Sequence, residues 1–351
     1  MARRAPGGDT PSMRRFDELS DSEKTEKLLR LAQKALAAFG LSGELGFVAQ
    51  GANTVFRLRA GGVSHAVRIC APGYDHATLR RELLWLAALA RDTALAVPEP
   101  VLTLTGDLFR SISMEGVPGT RACMILRWID GERREAELSS DEAAAMGRFV
   151  ATLHRHAEGF RWPEELALEY QEPASRVLAA ADTLRGVLTS SDDRALLCDA
   201  ASAIAEATEG LGDGPEAVGI VHGDLRLRKM RHDQGSVGAF GFDECRIGTY
   251  LDDLSVLWNE FCGRDTGPSL QADLLGGYRA ERELPHSMED VVRAFVTLRF
   301  LESLARLATE ARTNRTLSRE TSTRIAKALR QRLADARSAG DDGDDGDAVR
   351  A

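Results

Sequence analysis

Apolar residues in the first 130 positions fall mainly in short runs separated by glycine and proline, a pattern typical of β-strands. These runs predict strands at about 45–50, 54–60, 64–70, 101–110 and 123–129. Apolar positions at helical spacing predict one helix from Ser20 or Ser22 to about Phe39, where Gly40 ends it. A second helix is predicted at about 76–91.

Beyond residue 138 the spacing becomes mostly helical. Ser139 or Ser140, with Glu142, begins a helix to about His156. Further helices are predicted at 173–189, 193–209, 250–262, 268–280, 287–312 and 316–337, and short strands at 219–222 and 237–242. The chain therefore predicts an α+β fold of two lobes: a tail at 1–20, a strand-rich N-lobe at 21–130, a mostly helical C-lobe at 131–337 and an acidic tail at 338–351.

Composition narrows the class of protein. The 351 residues are 43% hydrophobic, which suits two lobes better than one small core. A net charge of −9 disfavours a nucleic-acid binder. No apolar run is long enough to cross a bilayer, and no apolar stretch follows Arg3 and Arg4 as in a signal peptide. The five scattered cysteines indicate neither a zinc site nor a disulfide framework, so a cytoplasmic location is predicted, with no membrane partner.

Candidate chemistry is densest at Gly219-Ile-Val-His-Gly-Asp-Leu225, which is followed by Phe240-Gly-Phe-Asp-Glu244. An apolar strand that ends in His-Gly-Asp presents a carboxylate on a loop, where it can accept a proton from an attacking hydroxyl. Taken alone, the same segment is equally compatible with a turn in which the aspartate caps a helix. No Gly-x-Gly-x-x-Gly follows a strand, so a dinucleotide fold is disfavoured.

Segments on either side of this cluster resolve the ambiguity by their order and spacing. They are Gln50-Gly-Ala-Asn-Thr-Val-Phe56, Ala66-Val-Arg-Ile69, Arg80-Arg-Glu82, Val97-Pro-Glu-Pro100, Met124-Ile-Leu-Arg-Trp-Ile-Asp-Gly131, Gly147-Arg-Phe-Val-Ala-Thr-Leu-His154, His222-Gly-Asp-Leu-Arg-Leu-Arg-Lys229 and Tyr250-Leu-Asp-Asp-Leu-Ser255. Over roughly 40–310 the chain resembles the aminoglycoside phosphotransferase, choline kinase and homoserine kinase family, which has the protein-kinase-like fold.

The resemblance assigns roles to single residues. Asp224 matches the catalytic base and His222 the structural histidine of the catalytic loop, and Asp253 would brace that loop. On the nucleotide side, Arg68 matches the phosphate-pairing cation, held by an ion pair with Glu82. Backbone groups are implied to contact phosphate at Gly51 and Asn53, and adenine at Leu126, Arg127 and Trp128, although plain core packing of Trp128 fits equally well.

Two departures concern the metal. The family's metal-binding Asn and Asp correspond here to Lys229 and Gly241. Phosphoryl transfer depends on cations that neutralise the β- and γ-phosphates. Asp243 would point to the same face as Gly241 if both lay on a strand, and could then recover a metal ion. Alternatively, the ammonium of Lys229 takes the place of a metal, or transfer has been lost.

Two functions follow from the resemblance. The first is ATP-dependent transfer of phosphate to a hydroxyl of a small molecule or biosynthetic peptide, with the need for Mg²⁺ left open by the two departures. The second is a pseudokinase-like binding or scaffold protein. The cationic run Arg226-Leu-Arg-Lys-Met-Arg231 beside the base could attract a phosphate or an acidic substrate. No motif indicates the acceptor, and none indicates the oligomeric state.

Overall fold

The computed structural model describes residues 15–313 and 318–341, and the chain divides into two compact units. One unit holds the chain up to Ala88 together with Pro98–Ile129, and the other holds Leu89–Val97 and the chain from Asp130 onward. Of the tails predicted at 1–20 and 338–351, residues 1–14 and 342–351 lie outside the described residues. Within the described remainder, Phe16–Glu18 form a 3₁₀ turn and the last helix extends to Asp341. The assignment of 21–130 and 131–337 as functional lobes stays a prediction.

The first unit is built on one antiparallel sheet. Its strands are β1 Glu44–Gln50, β2 Thr54–Ala60, β3 Val63–Ile69, β4 Pro100–Val101, β5 Arg110–Met114 and β6 Val117–Arg127. They lie in the order β1-β2-β3-β6-β4, and β5 pairs with β6. Gly61 and Gly62 both have positive φ, at 57° and 81°, which suits the tight hairpin turn between β2 and β3. The strand predictions at 45–50, 54–60 and 64–70 are confirmed.

Two helices belong to this part of the chain, α1 Asp21–Leu36 and α2 His76–Asp92. The Ser20 hydroxyl accepts the Glu23 N–H and the Glu23 carboxylate accepts the Ser20 N–H, so α1 begins with a capping box. Gly40, at φ 64°, ends the short 3₁₀ turn that follows α1. The apolar side of α1 joins the sheet in a buried cluster that includes Leu28, Leu31, Leu36, Phe56, Leu58, Val67 and Ile125.

The predicted strand at 101–110 is wrong over most of its length. The Thr103 N–H donates to the Asp107 carbonyl at 2.8 Å, and the Thr105 hydroxyl donates to the Asp107 carboxylate at 2.6 Å. Gly106 has φ 83°, a conformation that glycine adopts without strain. The alternating Val-Leu-Thr-Leu sequence suggested a strand, but these local hydrogen bonds favour a turn.

The second unit is mostly helical. Its helices are α3 Ser140–Gly159, α4 Pro173–Arg185, α5 Ser191–Ala207, α6 Leu251–Phe261, α7 Gly267–Glu281, α8 Met288–Thr313 and α9 Arg319–Asp341. Its strands are β7 Val218–Val221, β8 Met230–Asp233, β9 Ser236–Ala239 and β10 Arg246–Thr249. β7 pairs with β10 and β8 with β9, both antiparallel. Within 15–313 and 318–341, no helix is long and apolar enough to cross a membrane.

The strand prediction at 237–242 fails at its far end. β9 stops at Ala239, Gly241 has φ 83° and ψ 50°, and Phe242–Glu244 form a 3₁₀ turn. The left-handed backbone of Gly241 cannot belong to an extended strand. The argument that Gly241 and Asp243 share one face of a strand is therefore wrong. β8 and β10 were not predicted from the sequence.

Helices α3 and α7 cross at unusually close range. A Cβ placed on Gly277 would run into the Ala144 carbonyl and lie 2.6 Å from its carbon. A Cβ on Gly147 would overlap the Leu274 carbonyl and lie 2.6 Å from the Tyr278 nitrogen. Both glycines are therefore required by backbone packing. The crossing also brings Tyr278 on α7 to His154 on α3.

Candidate active site

The His-Gly-Asp segment leaves the end of β7, where Val221 pairs with Arg246 of β10. Gly223 turns the chain with φ 83°. A Cβ at Gly223 would collide with the Glu244 carbonyl and lie 3.1 Å from its carbon. Only glycine fits this turn, and the turn directs Asp224 away from the strand. The predicted strand at 219–222 and the loop that follows it are confirmed.

The buried carboxylate of Asp253, on α6, fixes the loop. Its Oδ2 accepts the His222 N–H at 2.8 Å and its Oδ1 accepts the Gly223 N–H at 2.9 Å. His154 Nε2 lies 3.2 Å from Asp253 Oδ2, and His154 Nδ1 lies 3.0 Å from the Tyr278 hydroxyl. Burial alone would raise the pKa of Asp253, but its hydrogen bonds outweigh burial and lower the pKa. Asp253 thus braces the loop, as its match to the family motif implies.

His222 is fully buried under the loop. Its Nδ1 accepts the Asp224 N–H at 3.3 Å, and its Nε2 lies 3.3 Å from the Phe240 carbonyl. These partners assign the proton to Nε2. Burial lowers the pKa of His222, so the ring is neutral at ordinary pH. His222 is a structural residue that orients Asp224 through its backbone.

The Asp224 carboxylate is held by three cations. Its Oδ1 accepts from Arg226 Nε at 2.6 Å, and its Oδ2 lies 2.8 Å from Lys229 Nζ and 3.5 Å from Arg228. Burial would raise the pKa of Asp224, but Lys229 and then Arg226 outweigh that effect and hold the pKa below its usual value. The carboxylate is therefore ionised, as a general base must be, but both of its oxygens are engaged.

Lys229 and Gly241 fit together. The Lys229 ammonium donates to the Gly241 carbonyl at 3.1 Å and lies 3.9 Å from Asp243 Oδ1. A Cβ at Gly241 would lie 3.0 Å from Lys229 Cε and 3.2 Å from its Nζ. The lysine side chain therefore lies in close contact with the position that a side chain at residue 241 would take.

For a divalent metal ion the donor set does not fit. Gly241 offers no side-chain oxygen, and a positive charge stands at position 229. Across the part of the chain that the structure describes, no group of three or more His, Cys, Asp or Glu side chains could hold a metal ion. Asp243 lies in the 3₁₀ turn with its side chain about one-third exposed. Its role as a metal ligand stays a prediction, without the strand geometry that motivated it.

On the nucleotide side, Arg68 in β3 and Glu82 in α2 form a buried, two-pronged ion pair. Arg68 Nη1 donates to Glu82 Oε1 at 2.8 Å and Nη2 donates to Oε2 at 2.5 Å. Arg68 Nε also donates to the Met124 sulfur at 2.9 Å. Glu82 is only 1% exposed, so its carboxylate is buried with the guanidinium and does not lie on a solvated helix face. A fixed guanidinium of this kind can pair with phosphate oxygens.

The turn between β1 and β2 carries Gly51 and Asn53. The Gly51 N–H donates to the Asn53 carbonyl at 2.9 Å, so in this conformation it is engaged within the turn. The Asn53 Oδ1 accepts the Ala71 N–H at 3.4 Å. Contact of these residues with phosphate stays a prediction, and for the Gly51 N–H it requires the turn to open.

Leu126, Arg127 and Trp128 lie at the end of β6. The Arg127 N–H donates to the Glu99 carbonyl at 2.8 Å, and the Trp128 N–H donates to the Ser64 carbonyl at 3.1 Å. These two donors are satisfied inside the sheet and do not face a base in this arrangement. The Arg57 guanidinium lies 4.6 Å above the Trp128 ring, which is only partly buried, and both roles considered for Trp128 stay predictions.

Two further contacts, one on the loop itself and one beside Asp253, were missed from sequence. Arg299 of α8 donates to the Gly223 carbonyl at 2.5 Å. Asp252 is fully buried, and Arg176 donates to both of its oxygens, at 2.9 and 2.7 Å. Asp252 could have been noticed as the neighbour of Asp253. Arg176 and Arg299 gave no signal, because they come from helices remote in sequence.

The chain was compared with known proteins. Residues 45–295 match the model of the phosphotransferase enzyme family. Amicoumacin kinase of Bacillus subtilis (strain 168) is 22% identical over 322 residues, covering 82% of this chain and 86% of that kinase. A microcompartment-associated aminopropanol kinase has a similar structure, with a TM-score of 0.69 and 25% identity over 90% of this chain and 98% of the other.

A solved complex of the amicoumacin kinase hAmiN with AMP-PNP, Ca²⁺ and Ami is also similar. Its TM-score is 0.68 and its identity 19%, over 90% of this chain and 94% of the other. At that identity the likeness shows the fold alone, which is the protein-kinase-like fold predicted from sequence. The match of the family model extends over most of the chain and spans both Arg68 and Asp224. The chain therefore belongs to the phosphotransferase enzyme family.

Proposed function

We propose that the protein is an ATP-dependent phosphotransferase that transfers the γ-phosphate to a hydroxyl group of a small molecule or a biosynthetic peptide. The observation that carries the proposal is the ionised Asp224, held on a loop that Asp253 fixes by two backbone hydrogen bonds. Membership of the family supports the reaction class. Relatives named as amicoumacin and aminopropanol kinases support a small-molecule acceptor.

In the proposed step the acceptor hydroxyl oxygen attacks the γ-phosphorus. An O–P bond forms, the bond from the γ-phosphorus to the β–γ bridging oxygen breaks, and ADP leaves with that electron pair. Asp224 takes the hydroxyl proton, for which one carboxylate oxygen must exchange its present cation for the acceptor. Arg68, fixed by Glu82, pairs with phosphate oxygens and orients the nucleotide.

We also propose that the protein works in the cytoplasm on a substrate other than nucleic acid. The net charge of −9 supports a substrate other than nucleic acid, because general nucleic-acid binders use an excess of basic residues. The same charge is compatible with a cationic acceptor, although solubility alone explains it equally well.

The proposal is tested by Asp224→Asn, which keeps the shape of the side chain and removes the base. With γ-labelled ATP and a panel of amino alcohols, antibiotics and sugars, we expect the variant to lose about 10²- to 10⁴-fold in kcat with any acceptor that the wild type uses. Circular dichroism and the melting temperature check that the variant is folded.

The matched control is Asp233→Asn, the same substitution at an exposed carboxylate of the β8–β9 hairpin. Its kcat should stay within about twofold of wild type, as for most surface substitutions. Equal turnover by Asp224→Asn and wild type would contradict the role of Asp224. Absence of turnover with every acceptor and metal ion tried would contradict the proposed function.

A second candidate is a binding protein without transfer. It is favoured by one observation: both oxygens of Asp224 are already engaged, by Arg226 and Lys229. This candidate predicts that ATP or an acceptor raises the melting temperature although no labelled product forms. Labelled product that disappears in Asp224→Asn would exclude it.

A further inference from the structure

Three oxygens converge on the ammonium of Lys229. Nζ lies 2.8 Å from Asp224 Oδ2, 3.1 Å from the Gly241 carbonyl and 3.9 Å from Asp243 Oδ1. Carboxylate and carbonyl oxygens arranged around one positive charge are the surroundings that a hard cation prefers. Here the cation is part of the chain itself.

Gly241 leaves room for this arrangement. A Cβ at that position would lie 3.0 Å from Lys229 Cε and 3.1 Å from its Cδ, so the end of the lysine would have to shift by a few tenths of an ångström. The absence of a side chain at position 241 therefore favours the observed position of the ammonium. A divalent ion brought to the same oxygens would meet the ammonium at short range, and like charges repel strongly in a partly buried site.

The Lys229 ammonium also has an N–H donor with which it can bind a ligand. It has three N–H donors, of which Asp224 and the Gly241 carbonyl engage two at hydrogen-bond distance. The side chain is 14% exposed, so it is reachable but held in place. Arg226 and Arg228 lie on the same loop and add positive charge around Asp224.

We propose that Lys229 is a resident cation in place of a divalent metal ion, and that the protein binds its nucleoside triphosphate in the metal-free form. This rests on the proposed function, because it assigns the nucleotide to the loop that carries Asp224. It departs from what the solved relative with AMP-PNP and Ca²⁺ would lead one to expect.

The test is a titration of full-length protein with ATP by isothermal calorimetry, once in excess EDTA and once in excess Mg²⁺. We expect dissociation constants within about threefold of each other, since the chain supplies the charge. Binding that is at least about tenfold weaker in EDTA than in Mg²⁺ would overturn the proposal.

Variants locate the effect. Lys229→Gln removes the ammonium and leaves the Gly241 backbone untouched, so it should weaken ATP binding in EDTA by about tenfold or more. Arg185→Gln, the control, removes one charge from helix α4, at a residue whose side chain is 51% exposed. Its loss should be about threefold or less. Equal losses in the two variants would overturn the specific role of Lys229.

The double variant Lys229→Asn, Gly241→Asp tests the replacement in reverse. It should bind ATP tightly only with Mg²⁺, as a carboxylate and an amide oxygen become available. A folded double variant that ignores Mg²⁺ would overturn the idea that these two positions exchange a metal for an ammonium.

The outcomes separate this inference from the proposed function. Metal-free binding without turnover of any acceptor would contradict the proposed function and leave the resident cation standing. If both turnover and tight ATP binding require Mg²⁺, the proposed function stands and the resident cation is contradicted.

Discussion

Among single side chains, the Arg68–Glu82 pair shows how burial changes the free-energy cost of breaking an ion pair. The two carboxylate oxygens of Glu82 accept from two nitrogens of Arg68, and the side chains are only 8% and 1% exposed. Removal of the Arg68 guanidinium leaves the Glu82 carboxylate buried without its ion-pair partner. The free energy lost when one buried charge is removed is far larger than the net stability that the whole pair adds over a pair of apolar side chains.

We therefore expect Arg68→Ala to lower the free energy of unfolding by about 3–5 kcal/mol, because Glu82 remains buried and unpaired. Arg30→Ala is the matched control, since the Arg30–Glu26 pair lies on the surface with both side chains more than 60% exposed. Its cost should be about 0.5 kcal/mol or less. Urea titration measures both, and equal costs would contradict the prediction.

Among elements, the close crossing of helices α3 and α7 requires glycine at the contact, because a side chain there would overlap the backbone of the other helix. Gly277 faces the backbone of Ala144, whereas a Cβ on Gly276, one residue earlier on the same helix, meets nothing within 4 Å. The two neighbours thus provide a matched pair for separating packing from helix propensity.

Gly277→Ala should destabilise the protein by about 1–3 kcal/mol or more, because the added methyl forces the two backbones apart. Gly276→Ala should stabilise it by about 0.5–1 kcal/mol, since alanine favours the helix and no contact opposes it. Melting temperatures of the two variants would shift in opposite directions. A shift in the same direction for both would show that the close crossing is not rigid.

The elements also show what sequence could and could not predict. Helix starts were predicted at Ser20 or Ser22 and at Ser139 or Ser140, because a serine before an apolar helical pattern favours an N-cap, and the caps lie at Ser20 and Ser139. The strand predicted at 101–110 failed because threonine and aspartate side chains hydrogen-bonded locally. Strand β8, which pairs with β9, was missed because it begins inside the cationic run and is only four residues long.

In the candidate site, too, local sequence indicated some features and not others. Asp224, His222, Arg68 and Glu82 were singled out because the segments that contain them resemble the family's motifs in order and spacing. The fit of Lys229 against Gly241 could not be found, because it depends on a left-handed backbone twelve residues away. Contacts from remote helices, such as that of Arg299, carried no local signal.

For the whole molecule, burial of neutral histidines couples stability to pH. Burial lowers the pKa of His65, His154, His222 and His232 below the usual 6.5. The unfolded chain binds protons at these rings as the pH falls through about 6.5, while the folded chain does not. Acid therefore favours the unfolded state, and stability rises with pH across this range.

We expect the free energy of unfolding, measured by urea titration, to fall between pH 7.5 and 5.5. Each such ring contributes at most about 1.4 kcal/mol per pH unit. His222→Asn should give a shallower slope than wild type, even if its stability is lower throughout. The buried carboxylates Asp252 and Asp253, whose pKa values are lowered, add losses only at more acidic pH. A flat wild-type profile over this range would contradict the prediction.

The contact between Lys229 and Gly241 also constrains the order in which ancestral changes could occur. A Cβ at position 241 would lie 3.0 Å from Lys229 Cε, so an aspartate there makes the end of the lysine shift by a few tenths of an ångström, and the positive φ adds strain. Restoration of an aspartate at position 241 is therefore less favourable while position 229 is a lysine than after position 229 has changed. Relatives with lysine at position 229 and aspartate at position 241 should accordingly be rare.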